Sequence, residues 1–283
     1  TNGTYSVSSP IVVNKGIVVQ SVNGPAVTTV RRGSGQRVFD LQDPAAMVAG
    51  LTIRDGNVND GSYNNSGGGV YCGYASAVVS NCHVINNFAT HYGGGVWGGT
   101  VVRCVVTNNT STRSGGGLNS SIARNCLVAY NSGAEPPPGG GGGGMVGGTA
   151  ENCTVVSNTA WRYDGFGNGG GALNTVVINS IIYFNRGTNT PVDNWSGGSY
   201  DYTCTLPLPG SGTGNIADDP LFVFPATNNF RLATGSPCVN AGTNVAWMIE
   251  GTDLAGNPRI KRGRVDMGAY EQVQSLGTVI VLR

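Results

Sequence analysis

Five strings in the middle of the chain share one pattern: VVSNCHVINN, VVRCVVTNN, IARNCLVAYN, TAENCTVVSN and VVINSIIYFN. They place Cys82, Cys104, Cys126, Cys153 and Ser180 in one slot, at steps of 22, 22, 27 and 27 residues. A glycine triplet precedes each slot, beginning at Gly67, Gly93, Gly115, Gly142 and Gly169, and five residues after it comes Asn87, Asn109, Asn131, Asn158 or Asn185. A degenerate earlier copy reads AGLTIRDG, with Gly50 in the anchor place and Asp55 in the Asn place. Repeats this short cannot hold a strand–helix–strand unit, and they are rich in Val, Ile and Thr. Each is one turn of a β-solenoid whose strands stack in parallel on the next turn. With 47 Gly in 283 residues the chain invites comparison with collagen, but Gly does not recur at every third position, and 39% hydrophobic content excludes a disordered linker.

The phase predicts which side chains enter the core. Val84, Val106, Val128, Val155 and Ile182 form one apolar column, and Val79, Val101, Ala123, Ala150 and Val177 another. Alternation then turns His83, Val105, Leu127, Thr154 and Ile181 outward. The Asn column reads as a turn ladder, because Asn tolerates left-handed backbone and its amides stack rung on rung. The glycine triplets suit corners where a side chain would strike the neighbouring turn. The cysteines read as a ladder of small buried thiols, because Ser180 fills the same slot and no CxxC pair is present. A disulfide among Cys72, Cys204 and Cys238 stays open.

The expected fold class is therefore all-β, a single-stranded right-handed parallel β-helix of roughly eight or more coils. Residues 1–217 form the coils, with early strands within Ile11 to Val13, Gly16 to Gln20, Ala26 to Val30 and Val38 to Leu41 and a loop excursion near 186–217. Residues 218–272 form a C-terminal cap module completing the solenoid, and 273–283 a terminal strand. A net charge of +1 with only 2 Lys carries no electrostatic footprint for nucleic acid. No apolar run reaches the roughly 20 residues that span a bilayer. No cofactor or metal motif emerges.

The segment from Asp218 runs DDPLFVFPATNNFRLATGSPCVNAGTN and then TDLAGNPRIKRGRVDMGAYE. Through Asp219-Pro220-Leu221-Phe222, Gly235-Ser236-Pro237, Asn240-Ala241-Gly242, Gly256-Asn257-Pro258-Arg259 and Asp266-Met267-Gly268-Ala269-Tyr270-Glu271, residues 218–271 resemble the C-terminal module of secreted β-helix proteins of the choice-of-anchor Q type. Residues 48–185 resemble generic pectate-lyase-like β-helices. The resemblance implies export and a cell-surface or extracellular location, and it implies no reaction. A solenoid end exposes strand edges and open core, so the module is expected over that end. Asp253, Arg259, Arg264, Asp266 and Glu271 are expected to form its structural polar network.

Two function classes follow. A polysaccharide lyase or glycosidase would work along one face. Yet the only acids between 61 and 190 are Glu135, Glu151 and Asp164, and Glu151 falls in one outward column with Arg124, as an ion pair. The catalytic alternative that remains is His83 with Arg103 and Tyr92, a group able to take a proton beside a neutralised carboxylate. The sequence favours the other class, a structural stalk, adhesin or filament subunit with itself and surface glycans as partners. In a head-to-tail filament the open strands at Tyr5, Val7, Ile11 and Val13 would receive Val279, Ile280, Val281 and Leu282 of the next subunit. The tail folding back on its own last coil is the open alternative.

Overall fold

The computed structural model describes residues 2–33, 35–59, 65–135, 141–162, 169–187, 193–261 and 263–273. Each coil visits up to four parallel sheets in turn. The third copy of the repeat shows the path: Leu118–Asn119 in sheet IV, Ile122–Arg124 in sheet II, Leu127–Ala129 in sheet I and Ser132–Glu135 in sheet III. Sheet I has nine strands, II and IV eight each, and III five. Every pairing among them joins a strand to its counterpart one coil away, so the chain is a right-handed parallel β-helix. The described residues contain no α-helix, only two single 3-10 turns at Pro225–Thr227 and Ala246–Met248.

The register is that of the repeat. Val84 pairs with Val106, Val106 with Val128, Val128 with Val155 and Val155 with Ile182, and the whole column is buried. The column from Val79 to Val177 is buried in the same way. The four anchor cysteines point inward as unpaired thiols, and each donates to the carbonyl two residues before it, Cys82 Sγ to Ser80 O at 3.1 Å for example. Ser180 makes the equivalent bond to Ile178 O at 2.9 Å, which is why a hydroxyl replaces a thiol there without leaving a buried donor unpaired.

The asparagine ladder forms. Asn87 Nδ2 donates to Asn109 Oδ1 at 2.9 Å, and the chain of amides continues through Asn131, Asn158 and Asn185 at 3.0, 2.9 and 3.0 Å. The ladder asparagines themselves, however, are not left-handed. The left-handed residues are those one place earlier, Asn86, Asn108, Tyr130, Ser157 and Phe184, with φ near +55°. That corner swings the following Asn inward, where a buried amide satisfies backbone groups on two rungs. The triplets behave as expected: a Cβ on Gly117 would lie 2.7 Å from Gly144 O on the next rung.

Three expectations change. The early copy is displaced by one residue, because Thr52 pairs with His83 and Ile53 with Val84; Leu51 holds the anchor place and Gly56 N meets Asn87 Oδ1. Leu51 is an apolar filler for the thiol slot, so composition hides the match. The loop excursion of 186–217 contains one more rung, Trp195–Ser196, Ser199–Asp201 and Cys204–Thr205, and Asn194 extends the amide ladder from Asn185 at 3.1 Å. Its shortened connection, nine residues between ladder amides, breaks the spacing that a repeat search follows. The C-terminal module, thirdly, lies along the side of the solenoid and not over its end. The last rung is covered instead by the segment after it, where Tyr202 N donates to Thr213 O and Thr205 N to Ile216 O.

Tyr5 is exposed, Val7 and Ile11 are half-buried, and Val13 is buried in the first coil. Val279, Ile280, Val281 and Leu282 lie outside the described residues.

A candidate binding cleft between solenoid and module

Sheet I has an outward face of two columns. One runs Thr29, Thr52, His83, Val105, Leu127, Thr154, Ile181 and Cys204; the other Arg31, Arg54, Ile85, Thr107, Ala129, Val156 and Tyr183. Both grow more apolar along the solenoid. Their late members pack with Phe222, Phe230, Leu232, Cys238 and Met267 into a second hydrophobic core outside the helix. Burying several large side chains at about 1.5–3 kcal/mol each is ample to hold the module in place.

Polar clips fix its position along the left-handed corner between sheets II and I. Arg103 donates to Thr252 Oγ1 at 3.1 Å, Asn125 to Thr252 O at 3.0 Å, Asn152 to Asp266 O at 3.2 Å and Asn179 to Thr243 O at 2.8 Å. Ala269 N donates to Thr154 Oγ1 at 3.0 Å. Inside the module Arg259 is fully buried and pairs with Glu271 at 3.2 Å, while Asp253 accepts from the backbone N–H groups of Ala255, Asn257 and Glu271. Burial pushes the Glu271 carboxyl up to about 8, against the pull of Arg259 and with the help of Asp266. Burial likewise raises Asp266. Arg264 donates to Gly242 O at 2.7 Å.

Where the module's Pro225 turn faces the corner between sheets I and III, an open cleft of about 490 Å³ remains, lined by Tyr130, Ser157, Thr159, Phe184, Arg186 and Pro225. Its construction follows from the repeat. Tyr130, Ser157 and Phe184 are successive members of the left-handed column, with φ of 57°, 55° and 57°. They form an aromatic–small–aromatic series about 10 Å from end to end at the usual strand spacing. Thr159 and Arg186 are neighbours in the next column, joined by a parallel bridge. Tyr130 donates to Asn228 Oδ1 at 2.5 Å, and Phe184 meets Tyr183 edge-on at 4.9 Å, so both rings are held from behind. Arg186 is exposed and, among the described residues, its guanidinium has no acidic partner.

Among the described residues no hydrogen bond or ion pair joins His83, Arg103 and Tyr92 to one another. His83 sits half-buried on the outward face of sheet I, and loss of solvent lowers its imidazole below the ordinary value. Arg103 is a module clip. Tyr92 lies beyond sheet III, bridged to Ser114, where Arg113 donates to its hydroxyl at 3.4 Å. The Arg124–Glu151 ion pair forms as expected, at 2.6 Å. Sequence reasoning missed Tyr130, Phe184 and Arg186, although a signal was present: the residues flanking the Asn ladder change from Asn86 and Asn108 to Tyr130 and Phe184. Among the described residues no three His, Cys, Asp or Glu side chains come together as a metal site, and no helix is long and apolar enough to cross a membrane.

No family model and no curated protein matches the chain. Among solved structures it is similar to pectate lyase Pel9A, with 13% identity and a TM-score of 0.37 over 96% of this chain and 86% of that one. The protein is a parallel β-helix.

Proposed function

We propose that this protein is a surface or extracellular β-helix that holds acidic glycan chains in the cleft beside its C-terminal module and does not cleave them. The observation that carries the reading is the lining itself: two aromatic rings, two hydroxyls and an exposed guanidinium, with no carboxylate or imidazole among the described lining residues. Aromatic faces stack on the C–H faces of sugars, and a guanidinium forks onto a carboxylate through two parallel hydrogen bonds. Hydrolysis requires a pair of carboxyl groups. Elimination requires a positioned general base as well as neutralisation of the sugar carboxylate. The resemblance of residues 218–271 to modules of exported proteins supports the location.

Calorimetry against a panel of acidic and neutral oligosaccharides tests this, with parallel assays for new unsaturated or reducing ends. Acidic chains are expected to bind, and Arg186→Ala or Phe184→Ala to weaken them about tenfold or more, roughly 1.4 kcal/mol. Binding unaffected by both variants removes the site. New chain ends in the wild-type sample would reverse the ranking in favour of a lyase.

A further inference from the structure

Seven cysteines are present, and the structure sorts them by what surrounds them. Cys82, Cys104, Cys126 and Cys153 share the inward slot, where each thiol donates to a carbonyl of its own rung and a serine serves equally well at position 180. Cys72 is buried in the same core. Cys204 differs. It pairs with Ile181 in the outward column of sheet I, so its side chain leaves the solenoid and enters the second core. Its column holds no other thiol. There it joins Cys238, which the Ser236-Pro237 turn brings in from the module; both thiols are fully buried in that core, and Cys204 Sγ donates to Asp218 O at 3.3 Å. Cys238 is held in place, since its N–H donates to Ser236 Oγ at 3.2 Å and its carbonyl accepts from Met267 N at 3.0 Å.

We infer that Cys204 and Cys238 are a disulfide-forming pair that fastens the C-terminal module to the last rung of the solenoid when the chain folds in the presence of a disulfide oxidant. With glutathione disulfide the chemistry balances as two exchanges. One protein thiolate attacks a glutathione sulfur and releases the first glutathione as thiolate. The second protein thiol loses its proton to solvent, attacks the mixed disulfide at the protein sulfur and releases the second glutathione. Two protein thiols are oxidised and one glutathione disulfide is reduced to two thiols. Because the seam between the two cores is closed in the folded molecule, the exchange belongs to folding or to an opening of the module. The pair is independent of what the cleft binds.

The test uses the full chain refolded in oxidised and in reduced glutathione, followed by thiol counting under denaturing conditions, intact mass and peptide mapping. Oxidised protein is expected to show five free thiols where the reduced form shows seven. It should weigh less by two hydrogen atoms, and the linked peptides should contain residues 204 and 238. The linked form should melt about 5 °C or more above the reduced form, and Cys238→Ser should abolish that difference. The ladder thiols also touch from rung to rung, so mapping is decisive. A link among Cys82, Cys104, Cys126 and Cys153, or seven free thiols after oxidative refolding, would overturn the inference. Circular dichroism of Cys204→Ser and Cys238→Ser guards against misreading a failure to fold.

Discussion

The two faces of sheet I are built by different rules. On the inner face each rung repeats the last: Val over Val, thiol over thiol, amide over amide, with each ladder amide bonded to the equivalent amide one coil away. On the outer face the same strands change character along the axis. Thr52, His83, Arg31 and Arg54 stand at one end, the two arginines sharing Asp55 at 3.4 and 3.1 Å, while Leu127, Val156 and Ile181 are sealed beneath the module at the other. The inner face is thus stabilised by nearest neighbours, as in any solenoid, and each coil's cost can be predicted from one coil. The outer face is stabilised by a segment about 100 residues away in sequence, and its residues make sense only in pairs with that segment.

Four changes sharpen this contrast. Asn131→Ala should be the most damaging, by about 4 kcal/mol, because it removes a buried amide that accepts from Asn109 and donates to Val106 O and Asn158, leaving backbone groups on two rungs unpaired. Urea unfolding measures it; a loss under about 1 kcal/mol would show that the ladder is ornamental. Val156→Asp puts a charge into the second core and should cost about 3 kcal/mol by releasing the module, seen as proteolysis within 218–273 while the strand signal in circular dichroism persists. Its counterpart on the uncovered half of the same column, Thr107→Asp, should shift stability by only about 0.5 kcal/mol. Equal effects at the two positions would erase the distinction between the halves.

The third change is of pH. An unfolded Glu271 ionises near its ordinary value of 4.5, the folded one near 8. Between those values the folded state holds the extra proton, so this group's contribution is fully present below about 4.5 and is lost as pH rises through about 8, a decline on the order of 2 kcal/mol. Melting of the wild type against Glu271→Gln across that window isolates it, and parallel curves would remove the group from the account. Within the inner core the mildest change should be Cys104→Ser, about 1 kcal/mol, since the serine at position 180 already makes the same bond to its own rung. Thermal melts check it. A loss of several kcal/mol would mean that sulfur packing, not the hydrogen bond, defines the slot.

The inner architecture was legible because a solenoid's neighbours in space are one repeat apart in sequence, so column phase is contact. The inward valines, the cysteine slot, the glycine corners and the Arg124–Glu151 pair all followed from counting. Counting failed where spacing or composition drifted: at Leu51, which fills the anchor place with another residue type, and at the shortened rung ending in Thr205. The cleft residues were only half legible. Tyr130 and Phe184 break a column of asparagines, yet nothing in the repeat says that Pro225 stands opposite them.

By itself, then, the sequence determined the coil, its register and its core, because these depend on local alternation and on a period that a side chain can repeat. Only the tertiary structure decided that the C-terminal module lies along the solenoid's flank, that Arg103, Asn125, Asn152 and Asn179 clip it there, and that Cys204 turns outward to meet Cys238. Those contacts join segments with no shared period. Their partners are chosen by complementary apolar area and hydrogen bonds between surfaces, which no spacing along one strand of text encodes.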